Sequence, residues 1–259
     1  MPGVRLTPGL QAHYSELYAS CEMSQRRFDE VDALVSRVIA QRPRYQRVSL
    51  DTGVPWFFIA AVHTLESGQR FDRHLHNGDR LTQRTRRVPA GRPATGEPPF
   101  NWEQSARDAL RMHRLHTVRD WTLPRILYEL ERYNGWGYRL YHPHVCSPYL
   151  WGFSRHYSSG KYVADGTWSD TAVSRQCGAA VLIRRLEEMG EIEPLGHARA
   201  DRGPVIYLAN HALERAEDLQ RFLNTFGGIS LRVDGWPGKR TSDAMKQVLG
   251  RRLSGDTRR

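Results

Sequence analysis

Glu66 is the first residue whose type and position suggest chemistry. It follows closely on Trp56 to Val62, a run in which every residue is apolar. A helix there has no wet face and belongs in the middle of a domain, with others packed around it. Pro55 suits a first helical position, Thr52 sits where a cap can form, and Gly68 is well placed to end the helix after Ser67. A carboxyl at the mouth of a buried apolar helix loses hydration, which favours its neutral, proton-donating form. A general acid working near neutral pH requires that state. The plainer alternative makes Glu66 the first polar residue where the helix surfaces, and spacing alone leaves both readings open.

A second carboxylate, Asp79, follows beside the turn signal Asn77-Gly78, with Thr82 and Thr85 close enough in sequence to help hold a water. Asp79 can act as a base or nucleophile, or it can support its own backbone in the turn. His74 and His76 alternate ahead of it and could be read as metal ligands, the nearest further set being His142 and His144. A His-x-His pair outside a zinc frame is more often a surface strand or turn, so no metal and no cofactor is expected.

The elements that must position these residues read as mainly α. Tyr14, Leu17, Tyr18 and Cys21, then Val31, Leu34, Val35, Val38 and Ile39, repeat at helical spacing between Leu6 and Gln41, and Arg42-Pro43 stops the second segment. Leu81 to Val88 is expected as a short strand or half of a small hairpin, and residues 88–100, crowded with Pro and Gly, as an extended surface loop. Asn101 caps a helix with Glu103 in its first turn, and another begins at Trp121 to Pro124 and breaks at Asn134-Gly135. Glu129 and Glu131 on that helix are expected to face solvent or to support the site from behind. From Trp136 to Tyr162 the chain is rich in Tyr, Trp, Pro and Gly, which suits either a sugar-binding cleft or a core assembled from loops. Asp170 is expected to cap a last long helix that ends at Gly190. Residues 191–204 lack periodicity and carry Pro194, Gly196, Gly203 and Pro204, the composition of a linker. The expected division is therefore 1–190, the linker, and a small module at 205–259 with helices over Ala212 to Phe226 and from Thr241.

Composition narrows the classes. The formal charge is +10, from 38 Lys and Arg against 28 Asp and Glu, which favours polyanionic partners without choosing among nucleic acid, acidic lipid and cell-wall polymers. Three well-separated cysteines make neither a disulfide framework nor a zinc site. No run approaches a membrane span, and the first residues lack the apolar core of a secretory signal. Synthesis in a reducing cytoplasm is expected.

Two patterns then carry a resemblance. Leu219-Gln220-Arg-Phe-Leu223, Val233-Asp234-Gly235-Trp236-Pro237-Gly238, Thr241 and Ala244 resemble the three-helix peptidoglycan-binding module of bacterial and phage wall hydrolases. Trp236-Pro237 departs from it, since that family usually has an apolar residue followed by a polar residue or Pro. The resemblance implies a wall-binding role for a module in which Leu219, Gln220, Asp234, Gly235 and Thr241 are its marks. The first domain resembles the lysozyme-like superfamily of goose-type lysozymes, soluble lytic transglycosylases and phage endolysins. Glu66-Ser67 looks like the catalytic Glu-Ser of the transglycosylase branch, and Tyr133-Asn134-Gly135-Trp136 is similar to its cleft-lining Tyr-Asn-x-Gly segment. A closer likeness, over residues 50 to 190, is to lysozyme-like proteins of phages and prophages that carry His74-Leu-His-Asn-Gly-Asp79 and Tyr128 to Tyr138.

The resemblance implies cleavage of the β-1,4 bond between N-acetylmuramic acid and N-acetylglucosamine, with Glu66 as the acid. Asp79 and Thr85 are candidates to complete a hydrolase, while Ser67, His76, Tyr133, Asn134, Trp136 and Tyr162 are expected at the sugar. If no second carboxylate serves, the sugar's own 6-hydroxyl attacks and leaves an anhydro end, the transglycosylase outcome. Hydrolysis is the first expectation. The expected partner is peptidoglycan, met by a monomer in the periplasm after release through a holin lesion. The competing readings are a wall-binding structural protein of a virion, against which the intact Glu66 speaks, and a nucleic-acid binder, which rests on charge alone.

Overall fold

The long apolar helix forms where the sequence places it. The computed structural model describes residues 3–164, 166–195, 206–213 and 215–258, and the chain divides into two compact units, Met1–Gly196 and His197–Arg259. The described residues are mainly α-helical, with one two-stranded sheet. In the first unit the helices are α1 (Pro8–Ala19), α2 (Phe28–Ala40), α3 (Arg42–Thr52), α4 (Trp56–Ser67), α5 (Trp102–Met112), α6 (Leu123–Asn134), the short α7 (Gly137–Tyr141) and α8 (Pro148–Trp151), and α9 (Ala179–Glu188). Strands β1 (Lys161–Ala164) and β2 (Thr167–Ser169) form an antiparallel hairpin between α8 and α9.

Helix α4 packs against α3, α6 and α9, and Phe58 to His63 are fully buried without interruption. That burial is the physical outcome of a helix with no polar face. Its ends differ from the expectation at one point. Pro55 is the residue just before the helix, and Thr52 is the last residue of α3, where its hydroxyl donates to the Val48 carbonyl at 2.7 Å. Thr52 is therefore no cap for α4. The C-terminus follows the expectation: Gly68 takes φ +60° and its N–H returns to the carbonyls of His63 and Thr64.

Other boundaries moved for local reasons. The second segment does stop just before Arg42-Pro43, since α2 ends at Ala40, but Pro43 begins a new helix there: it occupies the second position of α3, where its missing N–H is harmless. Helix α3 has only Tyr45, Val48 and Thr52 turned inward, too few for a periodic signal. No strand forms over Leu81 to Val88, because that segment bonds to its own loop: Arg84 reaches the carbonyls of Pro93 and Gly96, and Thr85 those around Pro89 and Arg92. The hairpin lies at 161–169 instead. Asp170 caps no helix; it accepts from Trp168 Nε1 at 2.7 Å, and α9 begins nine residues later behind Gly178. Asn101 does cap α5, with Gln104 completing a reciprocal capping box.

Glu129 and Glu131 do not face solvent. Both are buried on α6, where Glu129 pairs with Arg125 and Arg132 and Glu131 with Arg139. Each is a charge that the fold has already neutralised.

The second unit holds two helices among its described residues, α10 (Ala216–Leu223) and α11 (Lys239–Leu249), packed on each other. The expected third helix is not seen there, and α10 is shorter than Ala212 to Phe226. Thr241 is not the cap of α11; Gly238 holds that position, and Thr241 is buried one turn in. Of the expected linker, Gly196, Gly203 and Pro204 lie outside the described residues. Among the described residues no single helix is long and apolar enough to cross a membrane.

Candidate active site

Glu66 emerges at the C-terminal end of α4, half-buried, with Tyr149 of α8 donating a hydrogen bond to its Oε1 at 3.0 Å. Burial pushes its pKa from 4.5 up to about 7, and the Tyr149 hydrogen bond pulls partly the other way. No arginine or lysine pairs with it among the described residues. Tyr133 and Tyr149 have hydroxyls held well above the ordinary tyrosine range, first by burial and then by the neighbouring Glu66 charge. Both remain O–H donors at any physiological pH.

Two close backbone approaches place these groups. Gly78, at φ +75°, lies so near α4 that a Cβ there would stand 2.8 Å from the Glu66 carbonyl oxygen. Only glycine satisfies both the conformation and the space. This contact seats the turn of residues 74–79 on the end of α4. On the other side, Gly178 passes against the Leu150 carbonyl and donates to the Gly152 carbonyl at 2.8 Å. That approach fixes α8, and with it Tyr149, against the start of α9.

A cleft of about 520 Å³ opens beside this end of α4. Asn134, Trp136, Tyr141, Tyr149, Tyr162 and Gln176 are among its walls. Asn134 is exposed at the end of α6, Trp136 is buried against Tyr128, and Tyr162 stands on β1 in an edge-to-face group with Tyr138 and Trp168. Glu66 is not itself among the lining residues: Tyr149, which lines the cleft, donates to its carboxyl, and Gln176, another lining residue, donates to the neighbouring Leu65 carbonyl at 3.1 Å. Three of the residues expected at a sugar, Asn134, Trp136 and Tyr162, thus share one cleft.

The others are placed differently. Tyr133 stacks on His113 at 4.0 Å between ring centres and donates to the Leu75 carbonyl, so it backs Glu66 rather than lining the cleft. The Ser67 hydroxyl folds back onto the His63 carbonyl of its own helix at 3.3 Å. His76 is buried, with Nε2 2.8 Å from Asp108 and Nδ1 3.4 Å from Ser105, and burial pushes its pKa down to about 4. It pins the loop to α5 and offers no face to a ligand. His74 does the same between Ser105 and the Gln83 carbonyl. Among the described residues no three His, Cys, Asp or Glu gather as metal ligands.

Asp79 lies on the loop that touches Glu66, but its carboxylate is engaged there. It accepts from the backbone N–H groups of Arg86 at 2.8 Å and Arg87 at 3.2 Å, and from Asn77 Nδ2 at 3.2 Å. Burial alone would raise its pKa; those donors and the Arg87 guanidinium outweigh it and hold the carboxyl below the ordinary range. Thr85 is buried and spends its hydroxyl on the Pro89 carbonyl and the Arg92 N–H. Both residues brace the loop.

In the second unit Gln220, Gly235 and Thr241 are buried, and Leu219 and Asp234 are partly so. Gln220 is buried, its amide oxygen accepting from the Asp234 and Gly235 N–H groups and its nitrogen donating to Asp234 and to the Trp236 carbonyl. Gly235 takes φ +74° and Leu219 is half-buried. Sequence reasoning missed Tyr149 and Gln176 as site residues. Tyr149 had a signal in the aromatic run; Gln176 had none.

Compared with known protein families, curated proteins and solved structures, the chain has no match.

Proposed function

We propose that the chain cleaves the β-1,4 bond between N-acetylmuramic acid and N-acetylglucosamine in peptidoglycan, with Glu66 as the general acid. The observation that carries this reading is an uncompensated carboxyl with a pKa of about 7, joined by Tyr149 to an aromatic cleft. Protonated at neutral pH, Glu66 gives its proton to the leaving glycosidic oxygen as an oxocarbenium-like centre develops. Aromatic rings at Tyr141 and Tyr162, with Trp136 packed behind them, suit the apolar faces of the sugars, and Asn134 suits a hydroxyl or acetamido group. Action on the wall after release from the cytoplasm belongs to the same proposal.

A specific observation supports a second outcome of the same chemistry. Asp79 is bound to its own loop, and among the described residues no second carboxylate lines the cleft whose Tyr149 holds Glu66. One carboxyl then acts first as acid and next as base towards the sugar's 6-hydroxyl, giving anhydro ends rather than hydrolysis. Mass spectrometry of fragments released from purified peptidoglycan tests both. Release is expected to fall by about 10³-fold in Glu66→Gln, within the range for a lost acid. Anhydro ends, lighter by one water, would select the transglycosylase outcome, and reducing ends the hydrolase. Full release by Glu66→Gln would overturn the assignment.

A further inference from the structure

A concentration of unspent charge lies outside the cleft, on the loop that follows α4. From Gln69 to Phe100 seven arginines stand against three acids, so about an eighth of the chain carries four of its ten net positive charges. Three of the seven are spent inside the protein. Arg70 pairs with Asp72 at 3.0 Å, Arg92 with Asp108 at 3.1 Å, and Arg84 holds the carbonyls of Pro93 and Gly96. The others are poorly neutralised. Arg80 and Arg86 are exposed and meet no carboxylate among the described residues. Arg87 comes no nearer to Asp79 than 3.8 Å, with its side chain 83% exposed, and Arg73 stands 3.7 Å from an Asp72 that already faces Arg70.

The fold also forces two of these charges together. Arg73 and Arg80 face each other in an isolated antiparallel bridge. The flanking bonds run from His74 N–H to the Asp79 carbonyl at 2.7 Å and from Leu81 N–H to the Asp72 carbonyl at 3.2 Å. They make it the closer, non-hydrogen-bonded kind of pair, in which like charges are destabilising. Asp79 could neutralise this edge; instead its carboxylate fixes the backbone of two exposed cations, Arg86 and Arg87. Directly after them comes an apolar tip. Val88 is 91% exposed, and Ala90 and Gly91 are exposed beside it. Thr85 holds the tip from within, through the Pro89 carbonyl and the Arg92 N–H, so ordering it on contact costs little.

We propose that this loop docks on an anionic phospholipid surface. The guanidinium groups of Arg80, Arg86 and Arg87 meet headgroup phosphates, whose geometry their planar forks match. Val88 enters the boundary between headgroups and acyl chains. The exposed tip decides between this partner and a soluble polyanion, because a polymer of phosphodiesters neutralises the arginines but leaves Val88 in water. Attachment of this kind is peripheral and reversible, and it needs no spanning helix. It rests on the loop alone and does not depend on the chemistry proposed for Glu66.

The test is co-sedimentation of the full chain with large vesicles, in the absence of wall material. Vesicles of equal parts phosphatidylglycerol and phosphatidylcholine are expected to bind it, and pure phosphatidylcholine vesicles to leave it in solution. Each of Arg80→Gln, Arg86→Gln and Arg87→Gln should weaken binding about five-fold, the effect of one basic residue at an anionic surface. Val88→Ser should weaken it about ten-fold. A control triple, Arg26→Gln with Arg240→Gln and Arg251→Gln, removes the same charge from exposed positions elsewhere and should cost far less than the loop triple. Equal losses in the two triples would reduce the effect to net charge and overturn the proposal. Unchanged vesicle binding by Val88→Ser, or equal affinity for soluble poly(glycerol phosphate), would overturn it in favour of a polymer. No binding to the anionic vesicles would end it outright.

Discussion

Glu66 and Glu131 are both carboxyls enclosed by the same helical unit, and they are solvated by opposite means. Glu131 is met by both nitrogens of an arginine fork, Arg139 Nε at 3.0 Å and Nη2 at 2.6 Å, and by the Tyr14 hydroxyl. Glu66 has one neutral donor, Tyr149. A buried carboxylate held by a guanidinium fork is one half of an ion pair, and removing either partner strands the other. One facing only a phenol keeps its proton to near neutrality and can give it away. The tyrosine is common to both; the arginine makes the difference between a structural ion and an acid.

The comparison breaks most visibly if the two glutamates are neutralised in turn. Glu66→Gln is expected to abolish wall cleavage without lowering the thermal midpoint. Glu131→Ala, measured by urea denaturation, is expected to cost about 3 kcal/mol by stranding Arg139, with cleavage by the surviving folded molecules retained. Equal destabilisation by both variants would erase the distinction.

The pH profile sharpens it. Glu66 is raised in the folded chain, so its proton is present below about 7 and the cleavage rate should fall as pH rises through that value. Stability carries the same sign: folding is favoured by this group below its ordinary 4.5 and loses that contribution as pH climbs towards 7. Glu66→Gln should remove that slope from the melting curve series. Tyr149→Phe deletes the bond that lowers the pKa, so the falling limb should move to higher pH as the rate drops. A limb that stays put would make Tyr149 a wall of the cleft and nothing more.

The smallest effect is expected at Asp79. Asp79→Asn keeps one acceptor for the Arg86 and Arg87 amides, so cleavage of wall material should fall only several-fold, through a looser loop. A loss of 10²-fold or more, the scale of a missing base, would return Asp79 to the chemistry and restore hydrolysis as the first reading.

What the sequence made legible follows the same physics. Helix α4 was readable because Trp56 to Val62 admits no other placement; the aromatic run from Trp136 left a cleft and a loop-built core equally open, and its residues divide between the two, Tyr141 and Tyr162 lining the cleft and Trp151 and Tyr157 buried in the core. The ion pair of Glu131 was not, since Tyr14 lies far off in sequence and periodicity does not report pairing. His76 and Thr85 look like site residues by type, yet they are the means by which a loop without regular structure is held. Asp170 fits a cap by composition, but the turn before it captured the side chain first.

Gly78 has a mechanical consequence. It touches the Glu66 carbonyl, an atom with no proton to exchange, so this contact is the same at every pH. The 74–79 turn therefore registers where the acid is and not whether it is charged. Because the contact is backbone on backbone, the position of the turn and the position of the end of α4 are set together.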